Sequence, residues 1–303
     1  MELIKNNYLY GTGHGKDWKV NIDPPKRKVK TYFEETIIAL EDIYANKSGK
    51  FQVLYSGGVD SQYVCEVLLH LGMEFEPIIV ELKNNEGQVM NMHDIKYAYD
   101  FCSIKNISPI KFDLNFQKFV ESGKNIEIAK SATCCGVGLP TMMYVASQLD
   151  GFSLMGNGDP YLRLEPNNFW YLEERENTHS LLRFYKKYRL NGCPFLLSYT
   201  AEMMLAFLLD PNIVKVGMGF SHGKKGTNSS KSLVYNNKSK FNLPVYDYVS
   251  KYRIKQHGYE NLNEFPIIAQ HPNIKIFDDY QKMWGGEYLE TYLSVITRLS
   301  IHQ

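Results

Sequence analysis

The chain is short of cysteine, of net charge and of long apolar runs, and each shortage closes off a class of function. Its 303 residues include five cysteines, Cys65, Cys102, Cys134, Cys135 and Cys193, an odd count without a C-x-x-C pair. That spacing supports neither a zinc ribbon nor a disulfide framework. The eight histidines show no H-E-x-x-H or comparable ligand spacing, so no transition-metal site is expected. Net charge is +1, which provides no global field to draw in nucleic acid or an acidic membrane. The most apolar segment, residues 195–209, contains Glu202 and is too short to span a bilayer. The opening MELIKNNYLY lacks the basic start and apolar stretch of a signal peptide, so a cytoplasmic location is expected.

Aromatic side chains, by contrast, are abundant: 22 Tyr, 16 Phe and 3 Trp make up 14% of the chain. Such a surplus serves a large aromatic core, a stacking surface for flat ligands, or both. Along the chain, a glycine- and proline-punctuated lead-in over residues 1–28 reads as a short strand or hairpin. Phe33, Ile37, Leu40 and Tyr44 then predict a helix that stops near Ser48-Gly49. From residue 51 the pattern alternates. Short apolar strands at 51–55, 75–82, 109–114 and 152–155 are separated by helical stripes on Val64-Val67-Leu68-Leu71, Ile95-Ala98-Tyr99-Cys102 and Leu139-Met142-Val145-Ala146-Leu149. Strand and helix in succession predict parallel strands joined by right-handed crossovers, hence a Rossmann-like doubly wound α/β sheet. The expected organisation is a lead-in over 1–49, an α/β domain over 50–190, and a mostly helical region over 191–303 that completes the site.

The turn after the first of these strands has a chemistry of its own. Ser56-Gly57-Gly58-Val59-Asp60-Ser61 joins a buried strand to an amphipathic helix, whose first backbone N–H groups and dipole favour an anion. Gly57 and Gly58 let the backbone approach a phosphate, and Ser56 and Ser61 add hydroxyl donors. Asp60 would repel phosphate unless a cation intervenes, and Mg²⁺ bridging carboxylate and phosphate is the simplest reconciliation.

These six residues resemble the SGGxDS signature of the PP-loop ATP pyrophosphatases, the superfamily of asparagine, GMP, NAD and argininosuccinate synthetases and of several tRNA-modifying enzymes. The resemblance spans residues 50–160 and, more weakly, continues to about 250. It implies a HUP-type Rossmann-like domain that cleaves ATP between its α and β phosphates, adenylates a substrate oxygen and lets a nucleophile displace AMP. Gly156-Asn157-Gly158-Asp159-Pro160-Tyr161 resembles the GxGxD loop of the asparagine synthetase branch, which implies that Asp159 shares Mg²⁺ with Asp60. The branch usually has Asp-Glu where this chain has Asp159-Pro160, so its second acid is missing. Ser229-Ser230-Lys231-Ser232-Leu233-Val234-Tyr235 resembles the family's basic loop, which implies that Lys231, with Lys224 and Lys225 as understudies, meets the departing pyrophosphate. The resemblance also implies that adenine lies against the next strand, on the backbone of residues 80–82, with Val80 and Leu82 at its ends.

Other features carry less. Gly11-Thr12-Gly13-His14-Gly15-Lys16-Asp17 has Tyr10 and Asp17 where a Walker loop needs glycine and a hydroxyl, and Lys16 where a dinucleotide fingerprint needs glycine. Cys134-Cys135 reads as two small residues packing a turn, with a sulfur-carrying role as the alternative. Arg183, Lys186, Lys187 and Arg189, interleaved with Phe184, Tyr185 and Tyr188, form the outer face of a helix or a track for a nucleic acid strand. Glutamine-fed members of the family carry a catalytic N-terminal cysteine or a separate glutaminase domain, but position 2 is Glu and the first cysteine is Cys65, so free ammonia, an amine substrate or a separate ammonia- or nucleophile-supplying partner would serve if amides are formed. The expected main partner is a small-molecule acceptor, held between aromatic rings of residues 161–190 and 235–250. Adenylation of a tRNA or DNA base, and a non-catalytic nucleotide-binding module, are the alternatives. A homo-oligomer is compatible with the sequence.

Overall fold

The computed structural model describes residues 9–12, 19–219, 230–243 and 265–300. β1 (Leu9–Thr12) and β2 (Lys19–Ile22) pair antiparallel, the hairpin expected of the lead-in. α1 (Tyr32–Asn46) opens on a capping box in which Thr31 and Glu34 satisfy each other's backbone N–H groups. β3 (Phe51–Leu54), α2 (Val59–His70), β4 (Phe75–Lys83), α3 (Met92–Ile104) and β5 (Ile110–Asn115) alternate as the pattern predicts. α4 (Phe116–Glu121), α5 (Lys124–Ala132) and α6 (Leu139–Gln148) lead to β6 (Phe152–Leu154). Then come β7 (Tyr161–Leu164), β8 (Trp170–Arg175), α7 (Glu176–Tyr188) and β9 (Gly192–Cys193). α8 (Ala201–Leu208), α9 (Pro211–Gly217), α10 (Lys231–Asn236), α11 (Pro266–Ala269) and α12 (Pro272–Trp284) precede β10 (Glu287–Thr291) and α13 (Tyr292–Ser300).

The main sheet is parallel, in the order β5-β4-β3-β6-β9. Numbered by appearance, its strands run 3-2-1-4-5, the Rossmann-like doubly wound order, whose switch point lies between the first and fourth strands. Side chains of β3 alternate between the two faces. Phe51 and Val53 join a core with α1, α2, α3 and α8, whereas Leu54 joins a second core with α4 to α7 and α12. Helices therefore cover both faces, which is why these strands read as continuous apolar runs.

A second sheet, β10-β8-β7, is antiparallel and was not foreseen in the sequence. Its strands interrupt the region after residue 155, and β9 and β10 add strand to the part expected to be mostly helical. Arg163 on β7 ties this sheet together, reaching Glu165, Glu173 and Glu287. α4 and α5 are two further short helices that the periodicity did not predict, divided at Gly123, which has φ +74°.

Much of the aromatic surplus is core. Tyr63 and Tyr235 stack at 4.4 Å between centroids with 11° between planes, and Tyr32 stacks on both. Trp170, Phe184 and Tyr185 are buried as well, while Phe169 and Tyr188 are exposed. The expected aromatic cradle for an acceptor therefore loses Tyr235, Phe184 and Tyr185 to packing. Tyr246 and Tyr248 lie outside the described residues.

Candidate active site

The site starts where β3 leaves the sheet. Tyr55 N–H donates to the Ile78 carbonyl at 2.9 Å, and the chain then turns away through Ser56 and Gly57. Gly57 has φ +76°, and a Cβ there would lie 2.9 Å from both the Asp94 carbonyl oxygen and the Ala98 nitrogen of α3. Only glycine meets both the left-handed backbone and this close approach. Gly58 caps α2 in an extended conformation without a side-chain hydrogen bond. Ser61 donates to the Gly58 carbonyl at 3.0 Å and lies 3.2 Å from the exposed Ser56 hydroxyl. The turn thus presents the Ser56 hydroxyl and the positive end of a twelve-residue helix at the carboxyl edge of the sheet, while the Ser61 hydroxyl, expected as a second donor, is buried and spent on the Gly58 carbonyl.

A second loop arrives from the neighbouring strand β6. Gly156 lies directly on the first turn of α2, where a Cβ would stand 2.8 Å from the Asp60 carbonyl carbon and the Ser61 nitrogen. Asn157 accepts a hydrogen bond from Leu197 N–H at 3.0 Å, and Gly158 holds φ +92° beside Phe195 and Ser198. This loop delivers Asp159 to the same place as Asp60. Lys231, the first residue of α10, bridges them, its Nζ 2.7 Å from Asp60 Oδ2 and 3.4 Å from Asp159 Oδ2. One turn later on α10, the buried Tyr235 hydroxyl donates to Asp60 Oδ1 at 2.7 Å. Spacing of i and i+4 puts Lys231 and Tyr235 on one helix face, a signal present in the sequence that was read instead as an aromatic acceptor wall.

Charge at this point is closely balanced. Burial raises the Asp159 pKa, Lys231 opposes that shift, and the Asp60 charge adds to it. Burial alone would disfavour the Lys231 ammonium, but the Asp159 and Asp60 carboxylates outweigh it and hold its pKa above the ordinary value. Burial, then Asp60, keeps the Tyr235 phenol protonated. β8 adds a group that sequence reasoning missed. Tyr161 pairs with Glu173 across β7 and β8, so the next residue, Glu174, stands beside the Asp159-Pro160 end of the loop. Burial, then the Asp159 and Glu173 charges, push its carboxyl up to about 8. His179 Nε2 lies 3.8 Å away, its pKa lowered to about 4 by burial and then by Arg183. Glu174 thus adds a buried carboxyl next to Asp159, supplied from β8.

The two aspartates fit a hard divalent cation. Lys231 already shows that both can face one positive charge, and Mg²⁺ takes one or two protein carboxylates while filling its octahedron with water and phosphate oxygens. Among the described residues no group of three or more His, Cys, Asp or Glu forms a cage made of protein ligands alone.

The remaining expected positions fall as follows. Val80 and Leu82 lie on β4, and the Asn91 side chain already engages the Val80 carbonyl and the Leu82 N–H. Cys134 is buried, donates to the Gly136 carbonyl, and burial pushes its thiol up to about 12, which fits a packing role. Cys135 lines a separate cavity of about 420 Å³ against Ile274 and Phe277 of α12. Lys224, Lys225 and Ser229 lie outside the described residues, as do residues 13–17 of the glycine-rich lead-in. None of the described helices is long and apolar enough to cross a membrane.

No protein-family model matches the chain, and no curated protein does. Among solved structures it is similar to NMN synthetase from Francisella tularensis, at 11% identity and TM-score 0.30, over 80% of this chain and 94% of that one. It is also similar to a predicted subunit of tRNA methyltransferase from Methanocaldococcus jannaschii, at 15% identity and TM-score 0.28, over 48% of this chain and 67% of that one. Both scores lie below 0.5, and the fold stands on the chain's own strand order.

Proposed function

We propose that the chain is an ATP-dependent, AMP-forming enzyme of the PP-loop ATP pyrophosphatase class, acting on a small-molecule acceptor. One observation carries this reading. An SGGVDS turn at the carboxyl end of β3 and a loop from the adjacent strand β6 bring Asp60 and Asp159 to one cation position, beside an anion-favouring helix start. In the proposed reaction an acceptor oxygen attacks the α-phosphorus, the α–β phosphoanhydride bond breaks, and pyrophosphate leaves with the electron pair. A nucleophile then displaces AMP, forming an amide-type bond.

Ser56, Gly57, Gly58 and Ser61 receive the phosphates on the turn and the start of α2. Asp60 and Asp159 would hold Mg²⁺, which supplies charge neutralisation on the phosphate oxygens. Lys231 adds fixed positive charge where negative charge develops on the leaving group, and Tyr235 orients the Asp60 carboxylate through its hydrogen bond. Most of the catalysis is then positioning and electrostatics.

A second reading has a nucleic acid base as acceptor. It draws on the exposed Lys186, Lys187 and Tyr188 at the end of α7, though the neighbouring rings Phe184 and Tyr185 are buried and offer no face for stacking. It predicts RNA- or DNA-stimulated ATP consumption and binding that weakens steeply with salt. A non-catalytic nucleotide-binding module predicts ATP binding without turnover.

The deciding assay incubates the protein with ATP, Mg²⁺ and pools of candidate acceptors. AMP and pyrophosphate in equal amounts, lost in Asp60→Ala, is the expected result. ADP and orthophosphate would overturn the proposal.

A further inference from the structure

Beyond the phosphate turn, β4 outruns β3. β3 ends at Leu54 and pairs with β4 only as far as Ile78, whereas β4 continues to Lys83 with β5 on its other side. The edge of β4 that faces away from β5 is then closed by the chain itself. Residues 83–91 fold back, Lys83 bridges Val89, and Met90 N–H donates to the Leu82 carbonyl at 2.7 Å. Asn91 completes the closure with its side chain. Its Nδ2 donates to the Val80 carbonyl at 2.9 Å, and its Oδ1 accepts from Leu82 N–H at 3.0 Å.

This use of Asn91 is unusual for its position. It is the N-cap residue of α3, and asparagine is among the best N-caps because its side-chain oxygen accepts from the helix's first turn. Here it makes no such cap. The carboxamide turns instead to the strand and presents a donor and an acceptor side by side, the same pair that a nucleobase presents on its Watson–Crick edge. The site is also in the right neighbourhood. Asp94, three residues on and about 4.5 Å further along the helix axis, has its carbonyl against Gly57 of the phosphate turn.

We propose that Asn91 is a built-in competitor for the base of the nucleotide, and this rests on the ATP-binding reading above. A base that takes the Val80 carbonyl and the Leu82 N–H displaces the Asn91 carboxamide, which then caps α3. Exchange of one hydrogen-bonded position for the other makes Asn91 a brake on base binding alone: a triphosphate without a base does not reach this position and binds independently of it. Base recognition and helix capping are thereby linked in one side chain.

The test measures ATP and inorganic tripolyphosphate binding by calorimetry for the unaltered protein, Asn91→Ala and Asn91→Asp. The aspartate variant cannot donate to Val80 but keeps an oxygen that accepts from Leu82 N–H. The expected result is ATP binding tightened about tenfold in Asn91→Ala, the worth of the hydrogen bonds no longer given up, and by less in Asn91→Asp, with tripolyphosphate unchanged. In the unaltered protein ATP, and not tripolyphosphate, shifts the NMR signals of the Asn91 side-chain amide and the Leu82 backbone amide, a readout independent of variant folding. ATP affinity unchanged or weakened in the variants overturns the competitor and leaves the ATP reading standing. Equal tightening of tripolyphosphate also overturns it. Absence of ATP binding in all three proteins overturns the ATP reading and the competitor with it.

Discussion

The two flanks of the site are built by different means. The flank from Ser56 to Ser61 is six consecutive residues on one strand–helix turn, and its shape is set by backbone. The facing flank gathers Asp159, Glu174, Lys231 and Tyr235 from a loop, an antiparallel strand and a short helix, and it is set by charge. A contiguous turn fails when a Cβ or a wrong φ enters it. An assembled flank fails when its charges no longer balance. Gly156, packed on the first turn of α2, sets how closely they approach, and Lys231 and Tyr235 bond across to Asp60.

Four substitutions test this contrast, beginning with the largest expected effect. Gly57→Ala places a side chain against the backbone of α3 at a positive φ, so it should cost about 3 kcal/mol; a thermal melt checks it. Gly219, also at positive φ but with no described atom within 4 Å of a Cβ built there, is the control, and Gly219→Ala should cost less, the strain of the backbone alone. Lys231→Ala leaves two partly buried carboxylates facing each other and should destabilise by about 2–3 kcal/mol. Millimolar Mg²⁺ should return part of that loss in the variant, as a shift in melting temperature, and no recovery would argue that the aspartates do not accept a divalent ion.

Tyr235→Phe removes one hydrogen bond to Asp60 while keeping the ring stack with Tyr63 and Tyr32. A loss of about 1–2 kcal/mol in denaturant unfolding is expected. A loss near zero would mean that the phenol is there for packing alone. The smallest effect is a pH effect. Glu174 is held near 8 against an ordinary value of 4.5, so the folded chain keeps a proton that the unfolded chain releases between those values. Its contribution is complete at acid pH and falls as pH rises toward 8. Glu174→Gln resembles the protonated form at every pH. Its melting temperature should match the unaltered protein at pH 5 and exceed it by a few degrees at pH 9. In the folded chain His179, with its pKa lowered to about 4, titrates below the pH range of this comparison.

The contrast also explains what the sequence made legible. Parallel strands buried on both faces read as apolar runs, helices between them carry a 3.6-residue stripe, and the phosphate turn is local, so fold class and Ser56–Ser61 could be read directly. Asp159 and Lys231 were located through family resemblance, and the structure brings both to Asp60. Glu174 could not be read that way. In Trp170-Tyr171-Leu172-Glu173-Glu174-Arg175 two adjacent glutamates look like solvent-facing residues, and their burial depends on Arg163 and on a strand pairing that nothing local specifies. Tyr235 had a local signal in its spacing from Lys231, yet the aromatic surplus around it pointed toward a ligand surface when the ring belongs to the core. Asn91 looks like an ordinary helix cap, and only the open edge of β4 shows that its side chain is engaged elsewhere.

The account turns on two aspartates from neighbouring strands sharing one cation with a nucleotide. Calorimetric titration of ATP with and without Mg²⁺, in the unaltered protein and in Asp60→Asn and Asp159→Asn, measures this directly. Mg²⁺ should strengthen ATP binding in the unaltered protein, and most of that gain should vanish in either variant. ATP binding indifferent to Mg²⁺ and to both aspartates would contradict the account.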